Sequence, residues 1–196
     1  MLLMTAANKV TSFRFLLCIL YYVLLSMAVH RSPRDVTLLG TIFALNQVIA
    51  WTDLLDGYLA RKYKEVTHFG RIADPLVDKI LVVGSFIFFL AIDPLHKIFT
   101  AWFAVVVLGR EFLVSGIRGA MEAAGIPFPA SVWGKIKTAI QNVTVGTGLG
   151  YAAWFPEARW TELLTIGLMW ATLVATVMSG VTYVLSARKF LGSERI

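Results

Sequence analysis

Cysteine, histidine and charge are all scarce in this chain of 196 residues. The single cysteine, Cys18, excludes a disulfide framework and a thiolate metal site, and its place inside an apolar run marks it as packing. The three histidines, His30, His68 and His96, are scattered without the spacing of metal ligands and are expected at the surface. Charged residues make up 15% of the chain against 58% hydrophobic, and the mean hydropathy is +0.72. A soluble core of this size cannot hide that much apolar surface, so the bilayer is the expected solvent. The formal net charge is +6, but the basic residues are distributed around the apolar runs instead of forming one face. That distribution suits anionic lipid and an anionic substrate, and argues against nucleic acid as a partner.

What the chain has in quantity is uncharged sequence. Runs without charge cover residues 15–30, 36–52, 80–92, 98–109, 138–156 and 163–187. Several approach the roughly 20 residues that cross about 30 Å of hydrocarbon, and the two shorter ones reach that length only by continuing through charged residues. The expected fold is therefore all-α: one polytopic membrane domain over residues 1–196, with six transmembrane helices near 12–30, 36–62, 71–92, 96–124, 131–155 and 160–190. No repeat or low-complexity linker divides it. Ser26-Met27-Ala28 loosely fits a signal-peptide cleavage site, but Arg14 interrupts the apolar region and five more runs follow. With the N-terminus inside, only Arg31, Arg34, Lys97 and Arg159 of the eighteen basic residues fall outside. The positive-inside rule then puts both termini on the cytoplasmic side. Trp51, Trp102, Trp133, Trp154, Trp160 and Trp170 mostly fall near span ends, as interfacial anchors do. Gly146 and Gly150, four apart in the fifth run, are positions where a neighbouring helix could approach.

Chemistry concentrates in residues 53–78. Asp53-Leu-Leu-Asp56-Gly57-Tyr-Leu-Ala60-Arg61 is followed by Gly70-Arg-Ile-Ala-Asp74-Pro-Leu-Val-Asp78. Residues three and four apart share a helix face, so Asp53, Asp56, Gly57 and Ala60 point one way at the end of the second helix. Asp74 and Asp78 do the same at the start of the third, with Pro75 expected near its first turn. Four carboxylates converging at membrane depth repel one another unless a cation neutralises them. All-oxygen ligands favour a hard ion, Mg²⁺ or Mn²⁺, and four carboxylates suffice for a pair of them. The bland reading has the aspartates in salt bridges with Arg61, Arg71 and Lys79, but that needs neither the fixed spacing nor the small-residue stripe. A divalent-cation transporter also places acids in a membrane; it should carry them at the midplane within an inverted repeat, which is not found.

The pattern D-x2-D-G-x2-A-R-x8-G-x3-D-x3-D, matched here at every specified position, resembles the signature of the CDP-alcohol phosphotransferase family. The resemblance implies a six-helix membrane enzyme, usually a homodimer, in which the hydroxyl of an alcohol displaces CMP from a CDP-linked donor. It implies that Asp53, Asp56, Asp74 and Asp78 hold two divalent metal ions and that Asp78 is the general base. Gly57, Ala60, Arg61, Thr67 and Gly70 match positions around the cytidine diphosphate. Asn8-Lys-Val-Thr11 resembles the family's N-terminal Asn-x-x-Thr element, which makes Asn8 and Thr11 donor-site residues as well.

The acceptor must be read elsewhere. Arg110 and Arg118 are eight apart, on nearly one stripe of the fourth helix, while Lys135 and Lys137 open the fifth. A small anionic head group would suit these cations, although the two lysines stand about 200° apart on an ideal helix. Positive-inside anchoring is the alternative for all four. The stretches 110–118 and 130–141 are similar to the phosphatidylglycerophosphate synthase branch of the family, which joins CDP-diacylglycerol to glycerol 3-phosphate in a bacterial-type inner membrane. On that likeness Arg118, Lys135 and Lys137 contact the acceptor phosphate, Arg110 contributes less, and Glu111 pairs with a neighbouring base. Branches that accept inositol phosphate, serine or phosphatidylglycerol are the nearest alternatives.

Overall fold

The computed structural model describes residues 6–31, 34–63, 68–126 and 131–193, with their side chains except those of 6–11, 53–75 and 189–193. Six helices follow one another: α1 (Ala6–Val29), α2 (Val36–Tyr63), α3 (His68–Phe89), α4 (Ala101–Ala123), α5 (Val132–Trp154) and α6 (Arg159–Ser193). Their ends have local causes. Asp35 caps α2, its Oδ1 accepting the backbone N–H of Leu38 at 3.0 Å, and Ser131 caps α5 by accepting that of Gly134 at 3.0 Å. Past the end of α4, Gly125 adopts a φ of 73°, and Ile126 N–H returns to the Met121 carbonyl at 2.9 Å. This is the left-handed reversal that satisfies the last carbonyls of a helix and that glycine adopts without steric penalty.

Three boundaries depart from expectation. α1 starts at Ala6 instead of residue 12. α3 starts at His68, so Pro75 lies two turns inside it rather than in the first turn. Residues 96 and 97, expected to open the fourth helix, belong instead to a separate 3-10 turn, Leu95–Lys97, before α4 begins at Ala101. The hydrophobic run continues across that junction, which is why the sequence alone does not mark the break.

The interior is built mainly from α1 to α5. Phe86 and Phe89 of α3 meet Phe99 and Phe103 at the α4 entry, with ring centroids 5.0–6.1 Å apart. This aromatic knot ties the end of α3 that lies opposite Asp74 and Asp78. Tyr21 of α1 hydrogen-bonds Ser85 of α3 at 2.7 Å. One residue away, Gly84 lets Tyr22 approach so closely that a Cβ there would stand 2.2 Å from the phenol oxygen. Threonines join α5 to α6: Thr144 Oγ1 lies 2.7 Å from Thr172 Oγ1, and Thr165 and Thr176 are fully buried on the same helix. A Cβ at Gly146 would stand 3.0 Å from Gln47 of α2 and one at Gly148 2.9 Å from Phe89, whereas one at Gly150 would make only ordinary contacts.

The outside is apolar. Leu16, Ile19 and Val23 on α1, Val105 and Phe112 on α4, and Val174, Val181 and Leu185 on α6 are all exposed, as are all six tryptophans. Water-soluble monomers do not present apolar surface of this extent. Among the described residues, the helical segments Ser12–Val29 and Arg159–Arg188 are long and apolar enough to cross a membrane. The protein is accordingly all-α and membrane-associated, with at least two spanning helices.

Candidate active site

The two helices that carry the aspartates are held by common neighbours. α1 and α5 each pack against both α2 and α3, while α2 and α3 share no extended contact among the described residues. Only four positions separate Tyr63 from His68, so the end of α2 and the start of α3 lie within about 18 Å of one another. The backbone is helical through Asp53–Ala60 and through Gly70–Asp78, which keeps the residues of each segment at the spacing of one helix face. Asp53, Asp56, Gly57, Ala60 and Arg61 occupy the last turns of α2, and Gly70 and Asp74 the first turns of α3. Their side chains lie outside those described, as do the side chains of Asn8 and Thr11 in the first turns of α1. Thr67 lies outside the described residues altogether.

Asp78 is described in full. Its Oδ1 accepts a hydrogen bond from Arg14 Nη2 at 2.5 Å, and Arg14, on α1, is 1% exposed. A buried arginine on a membrane-embedded helix is costly without a carboxylate to meet it. Asp78 also lines a cavity of about 510 Å³ walled by α3, α4, α5 and α6. All four cations expected at the acceptor site, Arg110, Arg118, Lys135 and Lys137, line that same cavity.

They are not equivalent. Glu111, itself buried, accepts from Arg110 Nη1 at 3.0 Å and pairs with Lys137. Arg110 also donates to Ser179 on α6 at 2.5 Å. Arg110 and Lys137 therefore share one buried carboxylate, and the expectation that Glu111 pairs with a neighbouring base agrees with this geometry. Arg118 and Lys135 are exposed. Arg118 Nη2 donates to the phenol oxygen of Tyr183 at 2.9 Å. The 200° separation of the two lysines resolves simply: Lys137 enters the cavity wall among buried groups, and Lys135 stands at its open side. Lys79 Nζ donates to Ser115 Oγ at 2.6 Å across the α3–α4 seam.

Four contributors were not read from sequence: Arg14, Lys79, Ser179 and Tyr183. Arg14 alone carried a signal, because an arginine inside an otherwise apolar run needs a partner at that depth. Ser179 and Tyr183 look like ordinary residues of an apolar helix until α6 is seen against α4.

Residues 4–178 match the family described as CDP-alcohol phosphatidyltransferase. The chain belongs to that family. A CDP-diacylglycerol–glycerol-3-phosphate 3-phosphatidyltransferase of Haemophilus influenzae is 30% identical over 180 residues, covering 91% of this chain and 90% of the relative. The protein of the same description from Bacillus subtilis is 35% identical over 140 residues, 69% of this chain and 67% of its own. A probable phosphatidylglycerophosphate synthase of Mycobacterium tuberculosis is 33% identical over 157 residues, covering 76% and 70%. The family resemblance carried by residues 53–78 therefore holds, and a phosphotransferase activity on a CDP-linked alcohol comes with the family.

Proposed function

We propose that this protein transfers the phosphatidyl group of CDP-diacylglycerol to glycerol 3-phosphate, giving phosphatidylglycerophosphate and CMP. The observation that carries this reading is the convergence of Asp78 and four cations on one cavity. A carboxylate able to take a proton stands there beside groups able to hold an anionic acceptor. The relatives described as acting on glycerol 3-phosphate support the same choice.

Asp53, Asp56, Asp74 and Asp78 would hold two divalent ions, Mg²⁺ or Mn²⁺; they are all hard oxygen donors, paired on two helices at spacings that put each pair on one face. Bound there, the ions would neutralise charge on the diphosphate and on the phosphorus under attack. The remaining work falls to the chain. Arg61 offers a guanidinium fork to the diphosphate, with Asn8, Thr11, Gly57, Ala60, Thr67 and Gly70 around the cytidine side. Arg118 and Lys135 take the acceptor phosphate, supported by Arg110 and Lys137. Asp78, kept in orientation by Arg14, accepts the proton of the attacking hydroxyl. The new bond joins that oxygen to the phosphatidyl phosphorus, and the bond to the CMP oxygen breaks. No covalent enzyme intermediate is required.

In this reading all six helices span a bacterial-type inner membrane, the cavity and both termini face the cytoplasm, and the chain works as a homodimer. An enzyme of the same family that uses serine would have little use for so many cations around one cavity, whereas the phosphate of inositol phosphate would meet the same groups and is separated by assay. CMP release from CDP-diacylglycerol, measured with each acceptor in turn, separates these. Turnover with glycerol 3-phosphate alone is expected; turnover with serine and none with glycerol 3-phosphate would overturn the proposal.

A further inference from the structure

α6 contributes none of the cations, yet two of its side chains reach them. Ser179 and Tyr183, one turn apart, face α4, and Gly180 between them leaves room for the aliphatic stem of Arg110, whose Cγ would lie 3.4 Å from a Cβ there. Tyr183 is 3% exposed and lines the cavity. Its ring lies under both arginines, 5.6 Å from the guanidinium carbon of Arg110 and 5.8 Å from that of Arg118. Its hydroxyl oxygen accepts from Arg118 Nη2 at 2.9 Å and from the backbone N–H of Ser131 at 3.2 Å. Ser131 is the residue that caps α5, one turn before Lys135.

One phenol thus ties together the exposed arginine of α4 and the first turn of the helix that carries the second exposed cation. A long arginine side chain has considerable rotamer freedom to lose, and a free guanidinium at an open cavity would sample many orientations. A fixed acceptor for one of its nitrogens, with an aromatic face beneath it, removes most of that freedom before the substrate arrives. We infer that Tyr183 is a positioning residue for the acceptor: it aims Arg118, and sets the α5 entry beside it, so that a phosphate monoester meets preorganised donors. The inference rests on the reading of this cavity as the glycerol 3-phosphate site. In this role Tyr183 acts through Arg118 and the α5 entry, not on the reacting atoms.

Tyr183→Phe keeps the ring and deletes the hydroxyl. The purified full chain in detergent, with CDP-diacylglycerol and glycerol 3-phosphate varied separately, should show the glycerol 3-phosphate KM raised about tenfold, the size expected for losing a hydrogen bond to a charged group. The KM for CDP-diacylglycerol and kcat should stay within about threefold of wild type, a margin set against that tenfold effect. In an Arg118→Ala background the same substitution should raise the acceptor KM by clearly less than in wild type, because the guanidinium it aims is gone and only its hold on the α5 entry is left to lose. An unchanged acceptor KM in Tyr183→Phe would overturn the inference. So would equal losses for both substrates, or fully additive effects in the double variant, since these mark a merely structural tyrosine. Wild-type enzyme inert towards glycerol 3-phosphate would instead strike the functional reading itself.

Discussion

The site has two walls built on opposite electrostatic principles. On the α2–α3 side, four acids lie within residues 53–78, interspersed with Arg61, Lys62, Lys64 and Arg71. On the α4–α6 side, cations dominate, and the structure pairs them internally through Glu111, Ser179 and Tyr183. In the proposed reading the acids of α2 and α3 are neutralised by bound cations, whereas Arg110 and Lys137 on the basic side share one internal carboxylate, Glu111. Asp78 belongs to both, as the last of the four acids and as a lining residue of the cation-rich cavity. A phosphoryl-transfer site requires such a meeting point, because the proton must leave the acceptor where the donor phosphorus is held.

The largest effect should come at that meeting point. Asp78→Asn keeps the shape and removes the proton acceptor, so kcat should fall by about a thousandfold or more while some CDP-diacylglycerol binding survives. Near-normal turnover would detach Asp78 from the chemistry and dissolve the link between the walls. On the basic wall the next effect is on stability. Glu111→Gln leaves Arg110 and Lys137 buried with their charges uncompensated, and the unfolding free energy in detergent should drop by about 3–5 kcal/mol. An unshifted denaturation midpoint would show that the basic wall does not depend on its internal balance. The smallest effect is expected at the exposed edge: Lys135→Ala should raise the glycerol 3-phosphate KM about tenfold through loss of one charged hydrogen bond, with the donor KM unchanged. Loss of donor affinity alone would assign Lys135 to the other wall.

The helical setting of the acids was legible in the chain. Asp53, Asp56, Asp74 and Asp78 lie on two continuous helical segments, so spacing translates directly into shared faces. Six helices were equally legible, because charge-free runs map onto them with only their ends displaced. Arg14 and Tyr183 were a different case. Their roles come from packing between helices distant in sequence, α1 on α3 and α6 on α4, and a helix period says which residues share a stripe but not which stripe another helix meets. Lys137 shows the same limit: its spacing from Lys135 suggested divergence, and only the Glu111 carboxylate on α4 explains why it turns into the cavity wall.

The claim on which the account turns is that the acids of α2 and α3 chelate a pair of cations beside the donor diphosphate. Crystals of the full chain grown with Mn²⁺ and CDP-diacylglycerol, measured at the manganese absorption edge, test it directly. Two anomalous peaks enclosed by Asp53, Asp56, Asp74 and Asp78 are expected; carboxylates splayed apart with no manganese between them would contradict it.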